Sequence, residues 1–494
     1  MKAKHYIIAL ASLSLTLATS SCKDFLDTEP LGEELSENFF ATSDGAVQAT
    51  NAVYNQLRDF SVHTFSFVGI ASVASDDADK GSTPGDAPAM GELDNFTATA
   101  SNGLLDGFWQ GHYLGIARAN QVILRVPPIQ MDEALKTRLI GEARFLRAYY
   151  YFNLVRTFGG VPIINELPPR DGSNSSKARA TRQETYNFII EDLNAAIAAL
   201  PERSEYAAAD LGRVTKGAAQ GMLAKVYMYQ NNWSQVLTLT DQIIASNQYS
   251  LYNDYARLFT LDGENSSESI FEVQAATLAQ GGGGSQYSEV QSPRAPIPTG
   301  GWGFNTPSEN LNNAYEAGDT RRDATIIYAG ENLGDGVTIP TVIDNPRYNQ
   351  KAYVRATDPR SPNGMGDAGK NIRILRYADV LLMNAEAANE QGQTTKALTN
   401  LNLVRKRARG TSATALPDVT VTDRVALRQA IWQDRRLELA MEHDRFWDLV
   451  RQGRAGTVLR AIGKNFVDGK NEVFPIPQAR IDVSGGLISQ NPGY

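Results

Sequence analysis

The 494-residue sequence has one cysteine, four histidines and, beyond its first two dozen residues, no long apolar run. Each scarcity closes off a class of chemistry. A single thiol forms neither an intramolecular disulfide nor a thiolate cluster. Stability must then come from packing, and the chain is long enough to bury a large core. His5 lies in an N-terminal leader, and His63, His112 and His443 are too dispersed to suggest a zinc site. Without a later apolar run long enough to cross a bilayer, no spanning helix is expected. Positive charge is also scarce: 47 Lys and Arg stand against 55 Asp and Glu, a formal net charge of −8. The balance is more negative still once Lys2 and Lys4 leave with the leader. Nucleic acid and anionic lipid are therefore poor main partners.

The leader itself is informative. Lys2 and Lys4 precede an uncharged apolar run from Ile7 to Ala18, then Thr19, Ser20, Ser21 and Cys22. The run is too short to span a bilayer and has the layout of a secretory signal peptide. Ending at the sole cysteine, it resembles the lipobox of bacterial lipoproteins, where the thiol carries acyl chains such as palmitate. The usual Leu three residues before the Cys is replaced here by Thr19, with Leu17 nearby. The alternative is an ordinary buried cysteine after a soluble signal peptide. Several acyl chains anchor a protein stably where one alone is marginal. The expectation is a signal peptide over 1–21, lipid attachment at Cys22 and a single unit over 22–494.

Helical periodicity predicts helices over 44–59, 109–126, 131–158, 182–200, 215–230, 233–246, 372–391, 395–409 and 422–451. In the third of these Leu135, Leu139, Ala143, Leu146, Tyr150 and Leu154 form the stripe, and Gly159, Gly160 and Pro162 end it. Two pairs, one turning at Asn231-Asn232 and one at Gly392, resemble tetratricopeptide hairpins: small residues, a polar turn, then an apolar stripe. Between the helices lie stretches rich in Ser, Asp, Gly and Pro, over 62–105 and 263–371, and a proline-bearing tail over 466–494. Such lengths usually mean functional loops or a small subdomain. The helical scaffold then spans about 44–60, 107–260 and 372–452, and the loop-rich part about 61–106, 261–371 and 453–494.

From Cys22 to Tyr494 the chain resembles the SusD/RagB family of outer-membrane nutrient-binding lipoproteins. The resemblance rests on Cys22-Lys-Asp-Phe-Leu-Asp27, Gly115-Ile-Ala-Arg-Ala-Asn-Gln-Val-Ile123 and, most diagnostic, Gly141-Glu-Ala-Arg-Phe-Leu-Arg-Ala-Tyr-Tyr-Tyr-Phe-Asn-Leu-Val155 with Phe158-Gly-Gly-Val-Pro162. Arg376-Tyr-Ala-Asp-Val-Leu-Leu-Met-Asn-Ala-Glu386, Leu401-Asn-Leu-Val-Arg-Lys-Arg-Ala408, Arg435-Arg-Leu-Glu-Leu439, Arg445-Phe-Trp-Asp-Leu-Val-Arg451, Pro475-Ile-Pro477 and Asn491-Pro-Gly-Tyr494 follow in order. The resemblance implies a mainly α fold: four tetratricopeptide-like helix hairpins packed on an irregular, loop-rich ligand-binding part. It implies a lipid-anchored, cell-surface protein of the outer membrane that caps a SusC-like TonB-dependent transporter and captures glycans, or in some members peptides. Asp24 and Asp27 are similar to the signal that sends such proteins to the surface.

Among the motif residues, Arg144, Arg147 and Tyr149–Tyr151 read as scaffold. His443 and Asp444 are adjacent on a predicted helix and do not face each other, so they too read as scaffold. Trp432 and Trp447 read as core. The ligand surface is expected on loops. Sugar rings need flat apolar faces and planar polar groups, and two segments offer both. One holds Asp76 and Asp77 with Asn95; the other holds Tyr287, Trp302 and Phe304, with Trp302 set between glycines. Trp302 packing beneath its loop is the alternative. Asp76 and Asp77 would equally cap turns or hold a structural calcium ion. No other cofactor is implied. From Asp76 to Asp106 there are seven acidic residues and one basic, Lys80. If they line the site, a neutral glycan is favoured, although the second segment and its surroundings carry Arg294, Arg321, Arg322, Arg347, Arg355 and Arg360. The leading expectation is non-catalytic glycan capture. A peptide-binding relative and a carboxylate-based glycosidase are the alternatives.

Overall fold

The computed structural model describes residues 39–168, 176–278, 280–359 and 365–494. The leader, Cys22, Asp24, Asp27 and Arg360 lie outside the described residues.

Long helices dominate, and most begin where a short polar side chain can accept a hydrogen bond from an otherwise unpaired amide. Thr42 caps α1 (Ser43–Gln56), Asn102 caps α2 (Gly103–Arg125) and Asp132 caps α3 (Glu133–Phe158). Thr181 and Glu184 form a reciprocal capping box at α4 (Arg182–Ala199). Thr215 caps α5 (Lys216–Met228) and Asn232 caps α6 (Trp233–Ala245). Then come α7 (Tyr377–Glu390), α8 (Thr394–Arg409) and α9 (Arg424–Glu438), the last capped by Asp423.

These helices stack as pairs: α1 with α2, α3 with α4, α5 with α6, α7 with α8, each packed on the next. The fold is thus mainly α with four tetratricopeptide-like pairs, as the motifs imply. Small residues allow the close approach. A methyl group at Gly115 of α2 would lie 2.4 Å from the Tyr150 ring of α3. The Tyr150 hydroxyl donates to the Val53 carbonyl of α1 at 2.8 Å, so one side chain ties three helices together.

Among the described residues there are also three two-stranded antiparallel ribbons: β1 (Ala78–Gly81) with β3 (Phe304–Pro307), β2 (Ser269–Val273) with β6 (Ile372–Arg376), and β4 (Ile326–Tyr328) with β5 (Arg347–Asn349). Three expectations are corrected here. Residues 372–376 are strand, because Ile372 and Leu375 bury against β2, and α7 starts only at Tyr377. The predicted helix over 422–451 breaks after Glu438, where Met441 (φ 63°) and His443 (φ 69°) adopt left-handed backbone, and resumes at Arg445–Arg451. The stretch from 62 onward, expected to be irregular, begins within a largely buried run of π- and α-helical turns over 60–73 whose Phe67, Val68, Ile70 and Val73 join the main core.

The break after Glu438 is held by charge. Arg376 bonds Glu268, Glu438 and Glu442 at 2.5, 3.0 and 2.6 Å, and Lys351 reaches Glu442 at 2.8 Å. A second network joins Arg435 to Asp379 and Asp448, Lys225 to Asp379 and Asp444, and Arg451 to Glu386 and Asp448. The family-like motifs 376–386, 435–439 and 445–451 are therefore mostly the partners in these buried networks. Arg147 and Arg144 likewise pair with Asp192, at 2.7 and 2.9 Å. Trp447 is fully buried, whereas Trp432 is only half-buried and donates its indole N–H to Glu386.

Three histidines are also buried. His63 lies between the Leu57 carbonyl (2.8 Å) and the Tyr149 hydroxyl (2.6 Å), and His112 Nδ1 faces the Phe108 carbonyl at 2.7 Å. Burial lowers His63 to about 4 and both His112 and His443 to about 3. All three are neutral in the fold, whereas an unfolded chain protonates them near pH 6.5. Between those values the unfolded state binds more protons, so stability falls as pH falls. Each histidine gives a slope approaching about 1.4 kcal/mol per pH unit. Asp76 and Glu438, whose native values are lowered, add to this only below about pH 4.5, where unfolded carboxylates protonate. His112→Asn keeps a donor for Phe108 and removes one proton from the balance. The melting temperature of that variant should fall less steeply than wild type between about pH 7 and pH 5. An unchanged slope would mean that His112 does not enter the fold neutral.

Candidate ligand-binding surface

Two segments distant in sequence meet in the β1–β3 ribbon, with Ala78 opposite Pro307, Asp79 opposite Thr306 and Gly81 opposite Phe304. This ribbon brings the Asp76–Asp77 segment beside the segment carrying Trp302 and Phe304. It does not make all of them ligand-facing.

Asp76 and Asp77 are buried. Arg445 grips Asp76 through two bonds, at 2.7 and 2.8 Å, and Arg436 bonds Asp77 at 2.7 Å. Burial alone would raise Asp76, but Arg445 and Arg436 outweigh it and hold the carboxyl below its ordinary value. These carboxylates staple the start of β1 to α9 and to the helical turn that follows it; they are out of reach of a ligand in solvent, and their charge is spent on arginines rather than on a calcium ion. Tyr287 is buried too, its hydroxyl 2.7 Å from His443 Nε2, and burial pushes that phenol up. Phe304 is buried in the core. Asn95 is exposed and closes the short helix Pro88–Asp94 by donating to the Gly91 carbonyl at 3.0 Å.

The acidic excess of the first segment is largely answered from elsewhere in the chain. Arg294 pairs with Asp86 at 2.5 Å, Lys464 with Asp94 at 2.6 Å and Arg480 with Asp106 at 2.8 Å. The charge argument for a neutral ligand therefore loses its basis there.

Trp302 is the expected aromatic residue that the structure leaves accessible: it is half-buried at the edge of the core. Its amide donates to the Glu289 carbonyl at 2.8 Å, which seats the loop on the short helix Tyr287–Gln291. The approach demands glycine before it, since a methyl group at Gly301 would lie 2.0 Å from that carbonyl oxygen. Two rings not singled out in the sequence join the indole. Phe60 and Phe65 stack with centroids 5.3 Å apart and planes 20° apart. Trp302 lies 6.1 Å from Phe60 at 58° and 6.0 Å from Phe65 at 75°. Phe304 supports them from below, its ring 5.1 Å from Phe65 at 79°. Phe60 is 36% exposed.

The result is an aromatic corner with one wall of stacked phenylalanines and one of indole. Its rim is polar and fixed. Arg58 donates to the carbonyls of Gly282 and Gly284 (3.1 and 2.7 Å), and Asp367 accepts from the amides of the same two glycines. This pins the glycine loop beside Phe60. Phe60 and Phe65 escape a reading by helical period because that period puts residues three and four apart on one face. The intervening π turn, with its i→i+5 bonds, superposes residues five apart instead.

A family described as "Starch-binding associating with outer membrane" matches residues 24–228, and one described as "SusD family" matches 267–494. A SusD-like protein of Bacteroides ovatus is 30% identical over 91% of this chain and 82% of its own. A solved laminarin-binding SusD-like protein is 32% identical, covers 92% of this chain and all of its own, and superposes with a TM-score of 0.79. The surface glycan-binding protein A of Bacteroides thetaiotaomicron, solved with laminarihexaose, is 26% identical over 91% of this chain and 99% of its own, with a TM-score of 0.77. The solved relatives are described as binding proteins, not as enzymes, and the family description places such proteins at the outer membrane.

Proposed function

This chain belongs to the SusD family, and from that premise we propose that it binds a curved, neutral glucan on the Phe60–Phe65–Trp302 corner and passes it on without cleaving it. The angle between the rings carries the reading. A flat, ribbon-like glycan presents successive sugar faces in one plane and suits coplanar rings. A chain that turns presents them at an angle, and walls set 58° to 75° apart accept two neighbouring faces of such a chain. Laminarin, the ligand of a solved relative, is a glucan of this turning kind. The overall negative charge disfavours a polyanionic glycan.

In this reading Cys22 carries the acyl chains, the body stands at the cell surface on a short acidic leash, and the captured glycan enters a SusC-like TonB-dependent transporter.

The full chain, solubilised in detergent, is titrated with laminarihexaose and with cellohexaose while new reducing ends are assayed. Laminarihexaose should bind at least about tenfold more tightly, a difference of about 1.4 kcal/mol, and no new ends should form. Equal affinity would defeat the curvature argument. New reducing ends would defeat the non-catalytic one.

A further inference from the structure

A cleft of about 570 Å³ opens elsewhere on the loop-rich part. Three separated stretches build it: the turns over 256–262, the segment around β4 over 323–333, and 350–359 with Lys370. No residue of the aromatic corner lines it. Its volume falls in the range of small-molecule sites, which combine an apolar floor with a few placed polar groups. The floor here is Phe259, Ala324, Leu333 and Tyr353, all buried. Around it stand Glu331, Gln350 and Arg355, which offer both hydrogen-bond donors and acceptors.

Charge narrows the ligand class. Two of the three cations of the lining are already engaged: Arg257 pairs with Asp262, and Lys370 Nζ donates to the Tyr353 carbonyl at 2.6 Å. Anionic side chains (Asp262, Asp323, Glu331, Asp358) slightly outnumber cationic ones (Arg257, Arg355, Lys370) in the lining, so a phosphate or carboxylate gains little there. No cluster of His, Cys, Asp and Glu suited to a metal ion occurs among the described residues. A neutral molecule rich in hydroxyls satisfies such a rim, and its C–H faces match the floor.

The cleft is also wired to the aromatic corner. Tyr353 presents its ring to the cleft, while its hydroxyl lies 2.9 Å from Asp335 Oδ2 and 2.9 Å from Thr299 Oγ1. Thr299 is on the loop that delivers Trp302.

We propose that this cleft is a second carbohydrate site, taking a neutral saccharide of about one or two rings, a chain end or a branch, while the aromatic corner holds the main chain. Its occupancy does not require Trp302. The test follows laminaribiose, cellobiose and maltose by saturation-transfer NMR on the full chain in detergent. With Trp302→Ala, at least one disaccharide should still receive saturation. Adding Thr357→Trp, which places an indole at the exposed rim of the cleft, should cut that signal at least fivefold. Ala256→Trp, at another exposed rim position, should do the same and replaces the first variant if its melting temperature drops. Thr357→Trp alone should leave laminarihexaose affinity within twofold of wild type. The proposal is overturned if Trp302→Ala abolishes every disaccharide signal, or if both rim variants leave it intact. Failure of the aromatic-corner reading looks different: laminarihexaose affinity is then unchanged by Trp302→Ala, while the disaccharide signal still falls with the rim variants.

Discussion

Arg435→Ala should leave little folded protein. Arg435 is 1% exposed, and its guanidinium joins Asp379 and Asp448, with Asp444 at 3.7 Å. Removing it leaves those carboxylates buried with Lys225, Arg451 and, at 3.5 Å from Asp444, Arg156 to answer them. Breaking a buried pair by deleting one partner typically costs about 3–5 kcal/mol, against a total stability of about 5–15 kcal/mol for a typical domain. Arg435→Lys should recover only part of the loss, because an ammonium cannot reproduce the two-sided fork. Arg424→Ala is the contrast. Its side chain is 56% exposed and bonds Glu390 at 2.7 Å, so its loss should cost about 0–1 kcal/mol. Urea unfolding of the three variants measures the difference. A stable Arg435→Ala protein would show that the network adds specificity but little stability.

Trp302→Ala should lower laminarihexaose affinity about thirtyfold, or about 2 kcal/mol, the scale of a central aromatic contact. The melting temperature should move little, because the indole packs on the core only at its edge. Asp76→Asn should do the reverse. It leaves Arg445 and Arg436 to share the one carboxylate of Asp77 and lowers stability, while glycan affinity stays at the wild-type value. Isothermal titration on both variants separates the roles. Unchanged affinity in Trp302→Ala would move the glycan off the aromatic corner. Lost affinity in a well-folded Asp76→Asn would bring Asp76 into the site.

The two results trace what could be read from the chain alone. The stripe Leu135, Leu139, Ala143, Leu146, Tyr150, Leu154 marks α3 because a helix repeats every 3.6 residues within one short window. Gly159 ends that helix with a positive φ of 77°, which a residue without Cβ adopts freely. Short-range rules fail where a strand and a helix abut, as at Arg376 and Tyr377: both elements there are buried, so no alternation of polar and apolar residues marks the change. They fail again at Phe60 and Phe65, because the π turn that stacks the two rings has no periodic signature in the sequence.

Local spacing determined most of the helices and two of the hairpins, since each depends on residues a few positions apart. Tertiary structure alone decided which acidic and aromatic residues face a ligand. Asp76 meets an arginine 369 positions away and Asp77 one 359 positions away. In sequence they look like free carboxylates on a polar loop. The free energy of a buried charge depends on what surrounds it in space, and Arg445 and Arg436 turn those two carboxylates from a sugar-binding pair into an internal staple. Trp302 keeps an open face for the converse reason: the rings that meet it, Phe60 and Phe65, build a wall beside it and not a cover over it.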